Sequence, residues 1–332
     1  MSISLISIGD VMLGENVHHF QRGIVKKFRN NYSSLILKEI KDSFMFSDFV
    51  LINLESSLAP DKFFMTRNIK NGVYVAPEES IGLIKELNHN IIANIANNHF
   101  SQHGIESAIY TIKKLEYEGI QVIGKDNKPL TIVKNGVCLK IWGVSLIKDT
   151  NACGAYFKSN YESLMRDIHT EPKLENEFWI ISIHWGEEYY TKENEQQRAL
   201  AKKLSEAGFG LILGHHPHVI QPVDKIGVTE VVYSHGNFIF DQNFSKLTQK
   251  GLVCRFNFPI NKPKYLFSQQ KDLKVIAIVQ TEKEKLIDFC KKEYNYKKPL
   301  MMRIKMKLEL IWHFYELNSS IFKTFFFRFL QK

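Results

Sequence analysis

Three histidines fall within four positions of the stretch GHHPHVIQPV: His215, His216 and His218. Upstream, Asp10 follows Gly9, Glu55 follows an apolar run, Asn97, Asn98 and His99 stand together, and His184 opens HWGEE. Imidazole suits zinc, iron or nickel, and carboxylate suits manganese or magnesium, so these residue types form a ligand set for divalent metals. Pro217 fixes its own φ and biases His216 before it to extended geometry. On an extended segment, residues two apart point to one side. The spacing therefore predicts that His216 and His218 meet a pair of metals. A carboxylate such as Glu55 can bridge two cations, which together can activate a water for in-line attack. His99 can protonate a leaving oxygen.

Taken singly, each residue has a plainer explanation. A histidine after a strand is commonly a hydrogen-bonded loop residue. Gly9-Asp10 is a common turn pair, Asn97-Asn98 suits a turn or a helix cap, and Trp185 and Tyr189 suit packing. The joint pattern is what points to a site.

The elements that must carry these residues alternate. Strands are predicted at 2–8, 49–54, 90–95, 120–123, 136–144, 178–183, 211–213 and 228–234. Helices are predicted at 32–46, 78–88, 104–118 and 195–207. That alternation argues an α/β fold with parallel or mixed sheets. Five apolar strands run directly into polar residues: Asp10, Glu55, Asn97 to His99, His184 to Glu187, and His215 to His218. In α/β folds ligands bind beyond the carboxyl ends of strands, so distant segments are predicted to converge on one site.

The chain has 332 residues, 44% apolar and 24% charged, which is ordinary for a globular protein. Its net charge is +9, but from Thr281 onward twelve Lys/Arg stand against six Asp/Glu, so six of those nine charges sit in the last segment. The body is close to neutral, and no nucleic-acid partner is expected. Cys138, Cys153, Cys254 and Cys290 form no C-x-x-C pair and read as reduced thiols. No secretory leader and no bilayer-length apolar run is read from the sequence, so a cytoplasmic location is expected. The last segment mixes cationic and bulky apolar residues. Residues 301–317 could form an amphipathic helix, and Phe325, Phe326, Phe327 and Phe329 an apolar end. Two options follow: a helix packed on the body or a partner, or peripheral contact with the inner face of a membrane.

Six ordered motifs, IGDVMLG, INLESSL, NIANNHFSQHG, IHWGEEY, GHHPHVIQPV and YSHGNFIFDQ, resemble the CapA family of bacterial capsule and poly-γ-glutamate synthesis proteins over roughly residues 3–256. That family is similar to calcineurin-like metallophosphoesterases. The resemblance implies a four-layer α/β/β/α sandwich of two mixed sheets spanning 1–260; the segment 261–332 lies outside it and reads from its residues as a basic, aromatic-rich, helical extension. The resemblance further implies metal ligands at Asp10, Glu55, Asn98, His184, His216 and His218, holding one or two divalent ions, with manganese, zinc or iron as candidates. His99 is the implied leaving-group acid, and Glu187 is a second catalytic candidate. Asn53, Asn97, Trp185, His215 and Asn237 are candidates to orient the ligands or touch substrate. The chain departs from the pattern at Met12, where a second ligand is usual, at Glu55 for an aspartate, at Gln102 and Gly210 for aspartates, and at His235 for a leucine.

Two functions follow. One is a metal-dependent hydrolase or transferase in the synthesis or modification of an anionic cell-surface polymer, acting on the polymer or its precursor. The other is a non-catalytic, polymer-binding or partner subunit among capsule or polyglutamate synthesis proteins, which Met12 and Gln102 would suit.

Overall fold

The computed structural model describes residues 2–60, 63, 73–147, 161–259, 261–293, 300–304 and 306–308. Two mixed sheets face each other. The first runs, edge to edge, through Lys274–Thr281, Asn261–Lys271, Lys250–Phe258, Ile3–Val11, Phe49–Leu54, Ile91–Asn94 and Gln121–Ile123, with Asn237–Ile239 also pairing with Ile3–Val11. The second runs through Val223–Ile226, Thr229–Val232, Phe209–His215, Glu177–His184, Val137–Ser145 and Leu130–Lys134. Its four inner strands are parallel and its two edge strands antiparallel.

Side-chain alternation builds the layers. Ile3, Leu5, Leu51 and Ile92 of the first sheet meet Leu139, Ile141, Ile180, Leu211 and Leu213 of the second in one buried cluster. Their chain neighbours point the other way. Ile6, Ile8, Val50 and Ile52 pack under the helices Ile24–Phe28, Lys38–Phe44, Ile81–Lys85 and Gly104–Tyr117. Ile181, Ile183 and Ile212 pack under Tyr161–Thr170 and Glu195–Glu206. Strands buried on both faces read as unbroken apolar runs, which is how FVLINL and FWIISI stand in the sequence. The Trp142, Trp179 and Phe209 rings, 5.0–5.5 Å apart, anchor the second helical layer. Each such pair contributes about 0.5–1.5 kcal/mol beyond its buried area. The four-layer α/β/β/α expectation holds.

Several boundaries differ. Residues 261–281, placed by sequence in a helical extension, form two strands that continue the first sheet, Asn261–Lys271 pairing with Lys250–Phe258 and Lys274–Thr281 pairing in turn. The helix expected over 32–46 splits into a 3-10 turn, Tyr32–Leu35, and the helix Lys38–Phe44. Ile36 leaves the helical path because it bridges to Val275 on the sheet edge. The first strand runs on through Gly9-Asp10 to Val11, so that pair is not a turn. The C-terminal segment past Thr281 is helical at Lys283–Glu293, where Leu286 and Cys290 enter the cluster between the sheets, and again at 300–304 and 306–308. The phenylalanine-rich end lies outside the described residues, as does Cys153. Cys138, Cys254 and Cys290 are free thiols. Among the described residues, no helix is long and apolar enough to cross a membrane.

Candidate metal centre

All the strand ends identified from sequence meet at one edge of the sandwich. Asp10 lies beside Asn53 and Asn237 on its two neighbouring strands, and His184 beside His215. The strands approach so closely here that only glycine fits before Asp10 and before His215. A Cβ at Gly9 would sit 2.2 Å from Gly236 O, and one at Gly214 would sit 2.0 Å from Tyr233 O.

Two groups of ligand atoms result. Asp10, Glu55 and His184 each offer one atom, all within 4.8 Å of one another, and Glu188, His216 and His218 do the same. Glu55 joins the groups, since its Oε1 is 3.7 Å from both His184 Nε2 and His218 Nε2. Asn98 Oδ1 adds an amide oxygen 2.8 Å from His184 Nε2. Both Glu55 oxygens and His216 Nδ1 are buried without a hydrogen-bond partner. Orphaned buried carboxylate is costly. Two carboxylates, three imidazoles, an amide oxygen and a further carboxylate at the lip form a donor set that suits a borderline divalent cation.

The titration behaviour follows from the crowding. Burial pushes Glu55 well above the ordinary carboxylate range, with the His218 charge opposing and Asp10 and Glu188 adding to the rise. Burial would raise Asp10 too, but hydrogen bonds and charge from His215 and His218 hold it well below that range. For His218 burial favours the neutral ring, yet Glu55 and Asp10 carry it up to about 9. His216 is driven down to about 3, first by burial and then by the His218 charge. Burial likewise holds His184 well below its usual value, with His216 adding to it.

His99 stands at the lip, its side chain 17% exposed and its Nε2 3.8 Å from Glu55 Oε1. Its Nδ1 lies 3.1 Å from Gln102 Oε1. Asn98 and Glu188 are the other partly exposed members. The His99 ring stacks on Tyr74 at 3.6 Å.

The remaining expected residues fall into support positions. Asn53 donates to Asp10 Oδ1 at 2.9 Å and reaches His184 Nδ1 at 3.4 Å. Asn237 Oδ1 lies 3.0 Å from His218 Nδ1. His215 Nδ1 lies 3.0 Å from Asp10, and its ring stacks on His235 with centroids 5.0 Å apart. His235 is itself pinned between Ser7 Oγ and Gly214 O, and burial and His215 push it down to about 3, so His235 is a neutral ring stacked against His215. Asn97 ties its loop, donating to Leu54 O and accepting from the His99 and Phe100 amides. Trp185 is 2% exposed and donates to Tyr233 O, packing at the foot of the cleft that Glu187 also lines.

Two expectations are corrected. Glu187 is exposed and accepts from Asn194, lining a cleft of about 530 Å³ with Tyr161 and Lys203. The carboxylate beside His216 and His218 is Glu188. The chain turns at Gly186, φ +85, so strand alternation no longer decides which of the two glutamates faces in. Nor are His216 and His218 extended: their φ angles are +99 and +57. Such angles are uncommon for non-glycine residues and cluster at functional sites. A bent loop, not a straight one, brings both rings in, with centroids 6.0 Å apart. Tyr74 and Glu188 went unnoticed in the sequence. Glu188 carried a faint signal as the neighbour of Glu187, and Tyr74 carried none.

Residues 4–242 match the family described as bacterial capsule synthesis protein PGA_cap. The chain belongs to this family. The family's match thus takes in every ligand named above and stops short of the helical C-terminal segment. The chain is 30% identical over 267 residues to the capsule biosynthesis protein CapA of Bacillus anthracis, covering 76% of this chain and 63% of that protein. It is 27% identical over 265 residues to the PGA biosynthesis protein CapA of Bacillus subtilis, covering 76% of this chain and 67% of that one. The chain therefore spans about two thirds of the length of these relatives. A hypothetical protein from Thermus thermophilus superposes with a TM-score of 0.43 at 13% identity, over 84% of this chain and 98% of that one.

Proposed function

We propose that this chain is a metal-dependent hydrolase or transferase acting in the synthesis or modification of an anionic cell-surface polymer of the poly-γ-glutamate or capsular type. The observation that carries the reading is the Glu55 carboxylate, buried without hydrogen bonds between two groups of ligand atoms. Asp10, Glu55, His184 and Asn98 would hold one divalent ion, and His216, His218 and Glu188, sharing Glu55, a second, with manganese, zinc or iron as the candidates. Bound there, such ions activate water and neutralise charge that develops at the bond attacked. The polymer type is supported by the family and by the names of the relatives.

The chain's own residues supply the rest. His99 gives a proton from Nε2 to the leaving oxygen, its Nδ1–H directed at Gln102 Oε1. Asn97 holds the loop that presents it. Asn53 and Asn237 orient Asp10 and His218. Met12, wholly buried, offers no oxygen or nitrogen, and the second group has its own carboxylate in Glu188.

The test is metal content by mass spectrometry after exposure to manganese or zinc, for the intact chain and for His184→Ala and His216→Ala. The intact chain retains metal, and each variant loses most of it. An intact chain that retains none and turns over no phosphoester or polymer substrate ends this reading.

A further inference from the structure

The Tyr74 ring covers one face of His99. Their centroids are 3.6 Å apart and their planes 4° from parallel, so the imidazole cannot tilt toward that side. Tyr74 is half-buried, and its backbone is strained, with φ +53. Such an angle is an outlier for a bulky residue and persists only where the surroundings over-determine it. They do so here. The Tyr74 amide donates to Glu15 O at 2.8 Å, and Tyr74 O accepts from Ser57 N at 3.1 Å. Glu15 and Ser57 lie just past the strands Ile3–Val11 and Phe49–Leu54, which deliver Asp10 and Glu55. Val75 presses on Gly14, where a Cβ would sit 2.5 Å from Val75 O. His103 Nε2, past the far end of the His99 loop, lies 2.7 Å from Val73 O.

This clamp bears on what His99 does. A proton on a ring nitrogen lies in the plane of the imidazole, so the tilt of the ring decides which atom the proton can reach. His99 Nδ1 lies 3.1 Å from Gln102 Oε1, and Nε2 lies 3.2 Å from Asn98 Nδ2. A protonated Nε2 and an amide N–H are both donors, so the second contact is lost in the acid form. Gln102 fixes where Nδ1 sits, and the face of Tyr74 fixes the tilt. Nε2 is thereby kept on the Glu55 side, 3.8 Å from its Oε1.

We propose that Tyr74 is a positioning residue, whose ring holds the plane of His99 so that the Nε2 proton meets the leaving oxygen. In that step the N–H bond at Nε2 breaks and an O–H bond forms. The leaving oxygen keeps the electron pair of the bond being cleaved and takes the proton with it, and His99 is left neutral. This rests on the metal-dependent reading above and adds a residue outside the ligand set.

The experiment measures steady-state hydrolysis of diphenyl phosphate and bis(4-nitrophenyl) phosphate by the manganese-loaded full chain. The two esters carry the same charge and differ in the basicity of the leaving oxygen. Phenolate gains from a proton as it leaves, and 4-nitrophenolate scarcely needs one. Tyr74→Ala lowers kcat on diphenyl phosphate about tenfold with KM little changed, a loss in keeping with a misplaced catalytic group. It lowers kcat far less on the nitrophenyl ester. Tyr74→Phe, which keeps the ring, restores most of the rate. His99→Ala loses about 10²-fold on diphenyl phosphate. Adding Tyr74→Ala to it costs nothing more, because a residue that acts through another is not additive with it. Manganese content is the same in every variant. The inference is overturned if Tyr74→Ala matches the intact chain on diphenyl phosphate, if it loses as much on both esters, or if it loses its manganese. It is equally overturned if Tyr74→Phe is as slow as Tyr74→Ala, or if the double variant falls well below His99→Ala. An intact chain that takes up manganese but hydrolyses neither ester overturns this inference alone. One that takes up no manganese overturns the metal reading and this inference with it.

Discussion

The Ile3–Val11 strand has two ends, and they treat polar groups in opposite ways. Near its start, the Asp48 carboxylate accepts from Ser4 N at 2.7 Å, Ser4 Oγ at 2.8 Å and Lys134 Nζ at 2.5 Å, and Asn90 caps Asp48 O at 3.0 Å. Every partner there is matched and partly wetted. Near its finish, five buried atoms, Asn53 Oδ1, Glu55 Oε1 and Oε2, His215 Nε2 and His216 Nδ1, have no hydrogen-bond partner. The same strand thus joins an end built for stability to an end where stability is given up. Buried orphan groups cost about 1–3 kcal/mol each, more when charged, and persist where a ligand is meant to satisfy them.

The largest effect that sharpens this contrast is at Glu55. Glu55→Gln weakens metal binding by more than the roughly 10- to 100-fold typical of groups that only orient a ligand. In protein stripped by a chelator the same variant melts above the intact chain, because a buried carboxylate without hydrogen bonds is removed. Metal loading reverses that order. Scanning calorimetry of stripped and loaded samples reads both signs, and a stripped variant that melts lower would break the contrast.

A smaller effect lies just beneath the ligands. The Asn94 amide donates to Ser182 Oγ at 3.0 Å across the two sheets and accepts from Ala96 N at 3.0 Å. Asn94→Ala leaves both partners buried and unmet, costing about 1–3 kcal/mol. Urea unfolding of the metal-free chain measures it, and an unchanged midpoint would show that this layer is as forgiving as the wetted end.

The smallest effect is at Asp48. Burial raises its pKa, but Lys134 and the Ser4 donors outweigh that and lower it. A depressed folded-state pKa means its stabilisation is present above the unfolded value and is lost as pH falls through the folded one. Asp48→Asn therefore lowers stability at pH 7 by under about 1 kcal/mol, as for exposed pairs, and the gap from the intact chain closes in acid. A gap that widens in acid would contradict the assignment.

Much of this was legible because both sheets are buried on two faces. Unbroken apolar runs marked FVLINL and FWIISI as strands, and their polar successors marked one edge as the site. The hairpin at 261–281 was not legible, since KYLFSQQKDLKVIAIVQT has neither the strict alternation nor the turn signal that separates an edge hairpin from an extension. The helix over 32–46 misled because Ile36 obeys a partner, Val275, that is distant in sequence.

By itself the sequence determined which residue types reach the edge: Asp10, Glu55, Asn98, His99, His184, His216 and His218 each follow or end an apolar strand, and burial of those strands leaves their ends no other place. Only the tertiary structure decided which way the bent loops turn. The positive φ angles at Gly186, His216 and His218 send Glu188 inward and Glu187 outward, and no period of two or 3.6 residues survives such a turn. It also brought Met302 into one buried cluster with Tyr189, Val219, Phe244 and Leu247, because a contact between positions so far apart in the chain is set by shape and burial across layers.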